Sequence, residues 1–421
     1  MFEHGPTGAL RIDGVDLDAI AAECSTPLYV YSARAIRERI AELSAALRGL
    51  DSLVCFAVKA NPSRAVLALM AEAGLGADIV SAGELQRALR AGIPPQRIVF
   101  SGVGKTTDEI GMALHAGIWK FNVESADELA ALQRAARSRG CVAHAAVRIN
   151  PDVDAGTHEK ISTGRSENKF GVAIGEARRW FAAAGALDHV RLDGLHVHIG
   201  SQVLAPGPLQ LAFERVAAFW RELAGAGHAI DSIDLGGGLG VCYRPGHDRP
   251  LDAMAYAAIV RSALPDFGGR LVLEPGRWMV AGAGALLTRV IRIKEGESRQ
   301  FLVVDAAMND LLRPSLYGAW HEILAVDGSP RERVEYDVVG PVCESSDTFA
   351  LARPLPRCVA GDLLAIADAG AYGSSMASTY NSRPLAAEVM VDDGRHAVVR
   401  LRQDFEGMVA GERLPAWEAV A

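Results

Sequence analysis

The sequence predicts an α/β protein, a (β/α)8 barrel followed by a mainly β C-terminal domain. From residue 34 onward, short β-rich apolar runs alternate regularly with stretches whose apolar residues recur every three or four positions. Eight such runs precede Arg277, and after it the alternation gives way to β-like runs with little helical pattern between them. Eight parallel strands joined by helical crossovers close naturally into a barrel; an open doubly wound sheet is the alternative. A chain of 421 residues, 50% hydrophobic and 22% charged, can bury cores for two domains.

Taken in order, residues 1–33 form an extended segment, notably Pro27-Leu28-Tyr29-Val30-Tyr31, expected to pair with the β domain. The barrel domain spans 34–279. It follows a leading helix over 33–50, with strands expected at about 52–58, 76–81, 97–102, 119–125, 143–150, 194–199, 232–236 and 270–274. Helical segments such as 65–73, 125–137 and 209–224 separate them. Most stop at or near a glycine (Gly74, Gly92, Gly117, Gly140, Gly225), as a left-handed helix end favours. The stretch 150–169 carries Pro151, Gly156 and Gly164 where a helix is due, and reads either as a lid over the strand ends or as an incidental excursion. The β domain covers 280–421, with runs at 288–294, 300–305, 334–342, 362–367 and 397–402.

A net charge of -8 without a Lys/Arg cluster gives no footprint for nucleic acid. Cys24, Cys55, Cys141, Cys242, Cys343 and Cys358 form no CxxC pair and no metal spacing, which fits the reduced thiols of a cytoplasm. Met1-Phe2-Glu3-His4-Gly5-Pro6 has no basic region leading into an apolar segment, so neither signal peptide nor membrane span is expected.

The chemistry gathers at the carboxyl ends of the strands, where barrel enzymes work. The first strand ends in Lys59 and turns at Asn61-Pro62. Desolvation there lowers an ammonium's pKa toward the neutral amine that attacks a carbonyl, although a lysine can also simply mark where a core strand reaches solvent. The sixth strand leads into His196-Val197-His198-Ile199-Gly200-Ser201-Gln202, the seventh into Asp234-Leu235-Gly236-Gly237-Gly238-Leu239-Gly240, and the eighth into Glu274-Pro275-Gly276-Arg277. Three consecutive glycines, Gly236, Gly237 and Gly238, let backbone N–H groups converge on a phosphate. The run could also be only a tight turn, and Val241 breaks the dinucleotide pattern GxGxxG. Gly104-Lys105-Thr106 fails as a P-loop because Val99 replaces its first glycine. His196 and His198 share a face of the strand but have no third ligand at metal spacing, so no metal is expected; His198 is suited to lie flat on an aromatic ring. A lysine, a phosphate cup, a carboxylate and a stacking histidine fit pyridoxal 5'-phosphate. Lys59 takes its aldehyde, and Glu274 keeps its ring nitrogen protonated, making a strong electron sink for carbanion chemistry.

These residues resemble the fold-type III pyridoxal-phosphate decarboxylases over nearly the whole chain. Phe56-Ala57-Val58-Lys59-Ala60-Asn61 is similar to the family's cofactor-lysine motif, and residues 198–202 to its ring-stacking segment. Residues 236–240 match its phosphate loop, and Glu274-Pro275-Gly276-Arg277 its pyridine-nitrogen motif. The runs 308–317 and 340–347, and Gly370-Ala371-Tyr372-Gly373, resemble the diaminopimelate branch more specifically. The tail 405–421 fits less well.

The resemblance implies a barrel plus β domain, a homodimer with shared active sites, and Cys343 and Glu344 reaching into the partner's site. It implies decarboxylation of meso-2,6-diaminopimelate at its D-centre to L-lysine and CO2. Ser201 would anchor the phosphate, and Cys343, as a thiol, would return the proton. The substrate's distal carboxylate suits the rigid fork of Arg277 or Arg313, with a hydrogen bond from Tyr317; its distal ammonium suits Glu344; Tyr372 could serve substrate and cofactor together. Decarboxylases of ornithine, lysine, arginine or carboxynorspermidine are the neighbouring reading, although most of those substrates lack the distal amino-acid carboxylate that Arg313 would meet. Glu274 argues against a racemase, which prefers a basic group at the ring nitrogen. The long second domain argues against a cofactor carrier.

Overall fold

The computed structural model describes residues 1–5, 8–156, 163–164 and 169–415. They divide into two compact units. One comprises Ala33–Ala283 with Gly370–Ser375, the other Met1–Ser32, Gly284–Ala369 and Met376–Ala421.

In the first unit the strands Ser52–Ala57, Gly76–Ile79, Ile98–Phe100, Lys120–Val123, Ala143–Asn150, Val190–His196, Ser232–Asp234 and Arg270–Leu273 pair in parallel, each with the next. The eighth returns to the first through Leu271 opposite Ser52 and Val272 opposite Leu53. The sheet is therefore a closed barrel and not an open doubly wound sheet. Its strands are buried on both faces, which is why they read as continuous apolar runs. The sixth starts four residues earlier than the expected 194. Exposed Arg191 and buried Asp193 break the apolar signal there, and the ladder shifts register between Leu192 and Gly194.

Side-chain caps open the crossover helices. Ser81 Oγ accepts from Glu84 N, Thr106 and Glu109 close a capping box, and Ser125 accepts from Glu128 N. Gly117 and Gly140 end their helices in the left-handed conformation. Gly225 instead stays inside Pro206–Gly225, and the left-handed glycine is Gly227.

In the second unit a sheet runs in the order Thr348–Pro356, Arg333–Val339, Gln300–Val304, Gly284–Glu295, Leu28–Ser32, Ala387–Asp392, Arg395–Arg400. Leu363–Ile366 and Ile323–Ala325 branch from Gly284–Glu295. Leu28–Ser32 is buried throughout: Tyr29 and Tyr31 join one apolar cluster, Leu28 and Val30 another, as period-two alternation requires. The first thirty residues also hold a helix, Leu17–Cys24, which an extended reading does not include.

The stretch 150–169 lies partly outside the described residues. Of its described part, Thr163 N and Oγ1 donate to the carbonyls of Ile199 and His198, and Val153 N donates to Gly164 O. The tail keeps a short helix, Phe405–Val409, capped by Asp404, and residues 416–421 lie outside the described ones. Among the described residues, no helix is long and apolar enough to cross a membrane.

Candidate active site

The mouth of the barrel unit collects charged side chains from successive strand ends. Lys59 sits in the single 3-10 turn Val58–Ala60 that follows the first strand, and its Nζ donates to Asp78 Oδ2 at 2.8 Å from the second strand. The expected downward shift does not occur. Burial by itself pulls the Lys59 pKa down, but the Asp78 carboxylate against it and Glu274 nearby outweigh burial, and the net shift is upward. Asp78, fully buried, is pushed up by burial and by Glu274, and is held back by Lys59. The lysine side chain remains 39% exposed.

Glu274 follows the eighth strand and is 5% exposed. Its Oε1 accepts from Ser101 Oγ and Asn122 Nδ2, both at 3.2 Å, and its Oε2 lies 3.4 Å from His196 Nε2. Burial opposes the charge of Glu274, yet His196 and Lys59 prevail and hold its pKa well below the usual carboxylate range. His198 goes elsewhere than His196: its Nδ1 accepts from Gly237 N at 3.1 Å. A ring nitrogen that accepts is unprotonated, and burial together with Arg148 and Lys59 keeps the His198 pKa well down. The fold also brings His196 to Asp234 and Glu274, their polar atoms within 4.8 Å of one another, a juxtaposition that spacing along the chain does not reveal.

The glycine turn fits tightly between its neighbours. Gly238 takes φ +99, and a Cβ there would stand 2.6 Å from Gly200 O; a Cβ on Gly237 would overlap the Glu274 carbonyl. Close approach to the sixth and eighth strand ends thus requires glycine before any ligand is considered. Beside the turn, Arg277 Nη2 donates to Ser201 Oγ at 2.9 Å and Nη1 to Tyr243 Oη at 2.9 Å, and the guanidinium lies 4.7 Å from the Tyr372 ring. Tyr372, at φ +56, is positioned by its N–H to Ala60 O. Pro275 O accepts from Ala57 N, and a Cβ on Gly276 would crowd Ala60 and Ala57, so the eighth strand end is packed onto the first.

The other expected residues lie in the second unit. Arg313, 5% exposed, opens the helix Arg313–Tyr317, which places Tyr317 one turn further along the same face. His321 Nδ1 lies 2.7 Å from Ala367 O, which can only accept, so Nδ1 carries the proton and Nε2 accepts from Arg313 Nη1 at 2.7 Å. Cys343 and Glu344 are exposed. Cys343 N donates to Asn381 Oδ1, and Glu344 Oε1 accepts from Tyr380 Oη at 2.7 Å.

Sequence reasoning missed Asp78, Ser101, Asn122, Asp234, Tyr243 and His321, and gave His196 no role. Asp78 and Asp234 did leave a signal, since an acid at the end of an otherwise apolar strand is out of place unless it has work at the mouth.

The match to known proteins is extensive. The family model for the pyridoxal-dependent decarboxylases, pyridoxal binding domain, covers residues 33–281. The diaminopimelate decarboxylase of Zymomonas mobilis is 48% identical over 413 residues, 97% of this chain and 98% of that protein. The crystal structure of diaminopimelate decarboxylase from Helicobacter pylori complexed with L-lysine superposes with a TM-score of 0.91 at 43% identity, covering 94% of this chain and 98% of that one. That of M. jannaschii in complex with L-lysine gives 0.94 at 36% identity, covering 99% and 98%. With its barrel, its lysine-and-carboxylate mouth and this agreement along both chains, the protein belongs to the diaminopimelate decarboxylase family of pyridoxal-dependent decarboxylases.

Proposed function

We propose that the protein is a carboxy-lyase that converts meso-2,6-diaminopimelate to L-lysine and CO2 with pyridoxal 5'-phosphate, the last step of lysine biosynthesis. The observation that carries this is Lys59 and Glu274 in one barrel mouth, beside the Gly236–Gly238 turn and the Ser201–Arg277 pair. The residues suit the cofactor. A carboxylate held ionised matches a protonated ring nitrogen, and a guanidinium and a hydroxyl supply donors for a phosphate beside the glycine turn, whose Gly236 and Gly237 N–H groups are given to Asp234 and His198.

When bound, pyridoxal phosphate supplies an aldehyde for amine capture and a ring that accepts the electrons left by departing carbon dioxide. Asp78 Oδ2 holds and aims the Lys59 ammonium at 2.8 Å, and is the nearest carboxylate to receive the proton that Nζ must lose before it can attack. Glu274 would hold a proton at the ring nitrogen, His198 would stack on the ring, and Ser201, Gly276 and Arg277 would take the phosphate in the room left by the side-chain-free Gly236, Gly237 and Gly238, with Pro275 setting the turn. The rigid fork of Arg277 or Arg313 would grip the substrate's distal carboxylate, with a hydrogen bond from Tyr317, Glu344 would take the distal ammonium, and Tyr372 would serve both molecules. Cys343 returns the proton to the α-carbon. Because Cys343 and Glu344 are exposed in their own unit, they suit a site on a second copy, and the working form is a homodimer in which each site draws on both chains.

The decisive assay is lysine release from meso-diaminopimelate against turnover of ornithine. Borohydride reduction of the yellow protein, followed by peptide mapping, should mark Lys59; a label on Lys105 or Lys169 instead would sink the assignment. Mixing inactive Lys59→Ala and Cys343→Ala chains should restore about a quarter of wild-type activity if half the dimers are mixed. No recovery despite confirmed subunit exchange would place Cys343 on its own chain's site or remove it as proton donor.

A further inference from the structure

His196 is the last residue of the sixth strand and 1% exposed, and among the described residues neither of its ring nitrogens has a hydrogen-bond partner. Its Nε2 lies 3.4 Å from Glu274 Oε2, Asp234 comes within 4.8 Å, and Glu124 also feels its ring. Asp234 ends the seventh strand, 3% exposed, with Oδ1 accepting Gly236 N at 2.9 Å and Oδ2 facing Asn122 Nδ2 at 3.3 Å. Asn122 and Ser101 occupy the other oxygen of Glu274. Glu274 and Asp234 are thus two adjacent carboxyls sealed from water, with a histidine on one of them.

Two such carboxyls cannot both ionise cheaply, so the pair keeps one proton. We propose that His196, Asp234 and Glu274 form a proton-holding triad in which Asp234 carries that proton and His196 keeps the Glu274 carboxylate ionised and aimed, both acting as positioning residues for the ring nitrogen. The inference rests on the role given to Glu274 above. The surrounding groups agree with it. Burial and the Glu274 charge push Asp234 well up, whereas His196 and Lys59 hold Glu274 down. Of the other groups facing the pair, Cys55 and Tyr256 are pushed up and stay neutral, His198 stays neutral, and Asp78 is engaged with Lys59.

Removing the histidine while keeping a polar side chain should therefore let Glu274 take up a proton, and with it the ring nitrogen should lose its partner. The absorption spectrum of the wild-type holoenzyme should be flat from about pH 6 to 9, and that of His196→Asn should titrate within that range, because loss of the histidine carries the Glu274 pKa up into it. At neutral pH kcat of His196→Asn should fall about tenfold for each unit by which the Glu274 pKa comes to exceed the assay pH, while KM for diaminopimelate stays within about twofold. Infrared spectroscopy of the apo-protein adds a readout independent of turnover. A protonated-carboxyl band that does not fade through pH 7, where Glu84 titrates, should be present in wild type, absent in Asp234→Asn and retained in His196→Asn. A pH-independent spectrum in His196→Asn, a missing carboxyl band in wild type, or a wild-type spectrum altered by a metal chelator would each overturn the triad. Should His196→Asn fail to fold, the comparison of wild type with Asp234→Asn still decides. Borohydride labelling of Lys59 alongside a missing band would defeat the triad and leave the proposed function standing; failure of the label would defeat that function itself.

Discussion

The barrel holds a lysine ion pair at each end, and the two are built for different ends. At the mouth Lys59 meets Asp78 with 39% of its side chain open. At the amino-terminal side of the strands Lys120, 2% exposed, is ringed by Asp231 at 2.5 Å, Ser232 at 2.6 Å and Asp193 at 2.9 Å, and His144 adds a further contact to Asp193 at 2.5 Å. The base ties the fourth, fifth, sixth and seventh strands together around one ammonium, which reaches Asp193 Oδ1 as an ion pair although that oxygen has no hydrogen bond among the described residues. The mouth is more crowded with acid. Asp78, Asp234 and Glu274 crowd it, and Asp78 Oδ1 and Asn122 Oδ1 are buried without a hydrogen bond among the described residues. Lys105 makes the same point from a third position: its ammonium is consumed by Glu128 and the carbonyls of Gly102 and Asn122, with nothing left for a ligand. All three lysines are paired, and what separates Lys59 from the other two is the exposed face it offers to a ligand.

The largest effect that tests this contrast is at the mouth. Lys59→Ala should lower kcat at least about a thousandfold, roughly 4 kcal/mol of barrier. Its melting temperature should change little, because Asp78 can protonate once its partner is gone. Residual activity within about tenfold of wild type would show that the two lysines are not functionally distinct.

Lys120→Met should do the opposite. Removing one partner of a buried ion cluster typically costs about 3 to 5 kcal/mol, since Asp193 is left 6% exposed without its ammonium. Chemical denaturation should show that loss, while the folded enzyme at low temperature keeps its kcat. An unchanged stability would mean that the base is as loosely assembled as the mouth.

Much of this was legible in the sequence, and the contrast explains what was not. Strands and the barrel emerge from periodicity because parallel strands are apolar on both faces. The mouth emerges from strand ends, where Lys59, the glycine run and Glu274 stand out against apolar neighbours. What stayed hidden depends on closure. Asp78 comes within reach of Lys59, and His196 within reach of Glu274, only because strands one and two, and six and eight, share a barrel. The upward shift of Lys59 is the clearest case, since sequence gives the burial that lowers a lysine's pKa but not the carboxylate that outweighs it.

Arg313 sharpens the comparison from the other unit, being buried as deeply as a structural charge yet assigned to substrate. If its role is recognition, Arg313→Ala should raise KM for diaminopimelate by roughly one to two powers of ten, the cost of a lost charged hydrogen bond at about 2 to 3 kcal/mol, and leave cofactor affinity alone. Lost stability with unchanged steady-state constants would instead class it with Lys120, as a charge that serves the fold through His321.

The smallest effect concerns Glu84, a further acid beside the crowded mouth. Its Oε2 accepts Val80 N just beyond the second strand, and burial, with Asp78 adding to it, raises its pKa from 4.5 to about 7. The folded protein therefore binds this proton more tightly than the unfolded chain. The stability that follows is complete below pH 4.5 and is lost as pH rises through 7. Glu84→Gln keeps an acceptor for Val80 but has no proton to lose. Relative to wild type it should gain stability between pH 5 and 8, by about 1 kcal/mol once partial exposure is allowed for. A difference that does not vary with pH would mean that Glu84 ionises as freely as a surface carboxylate, and that the excess of acid around Lys59 ends at Asp78.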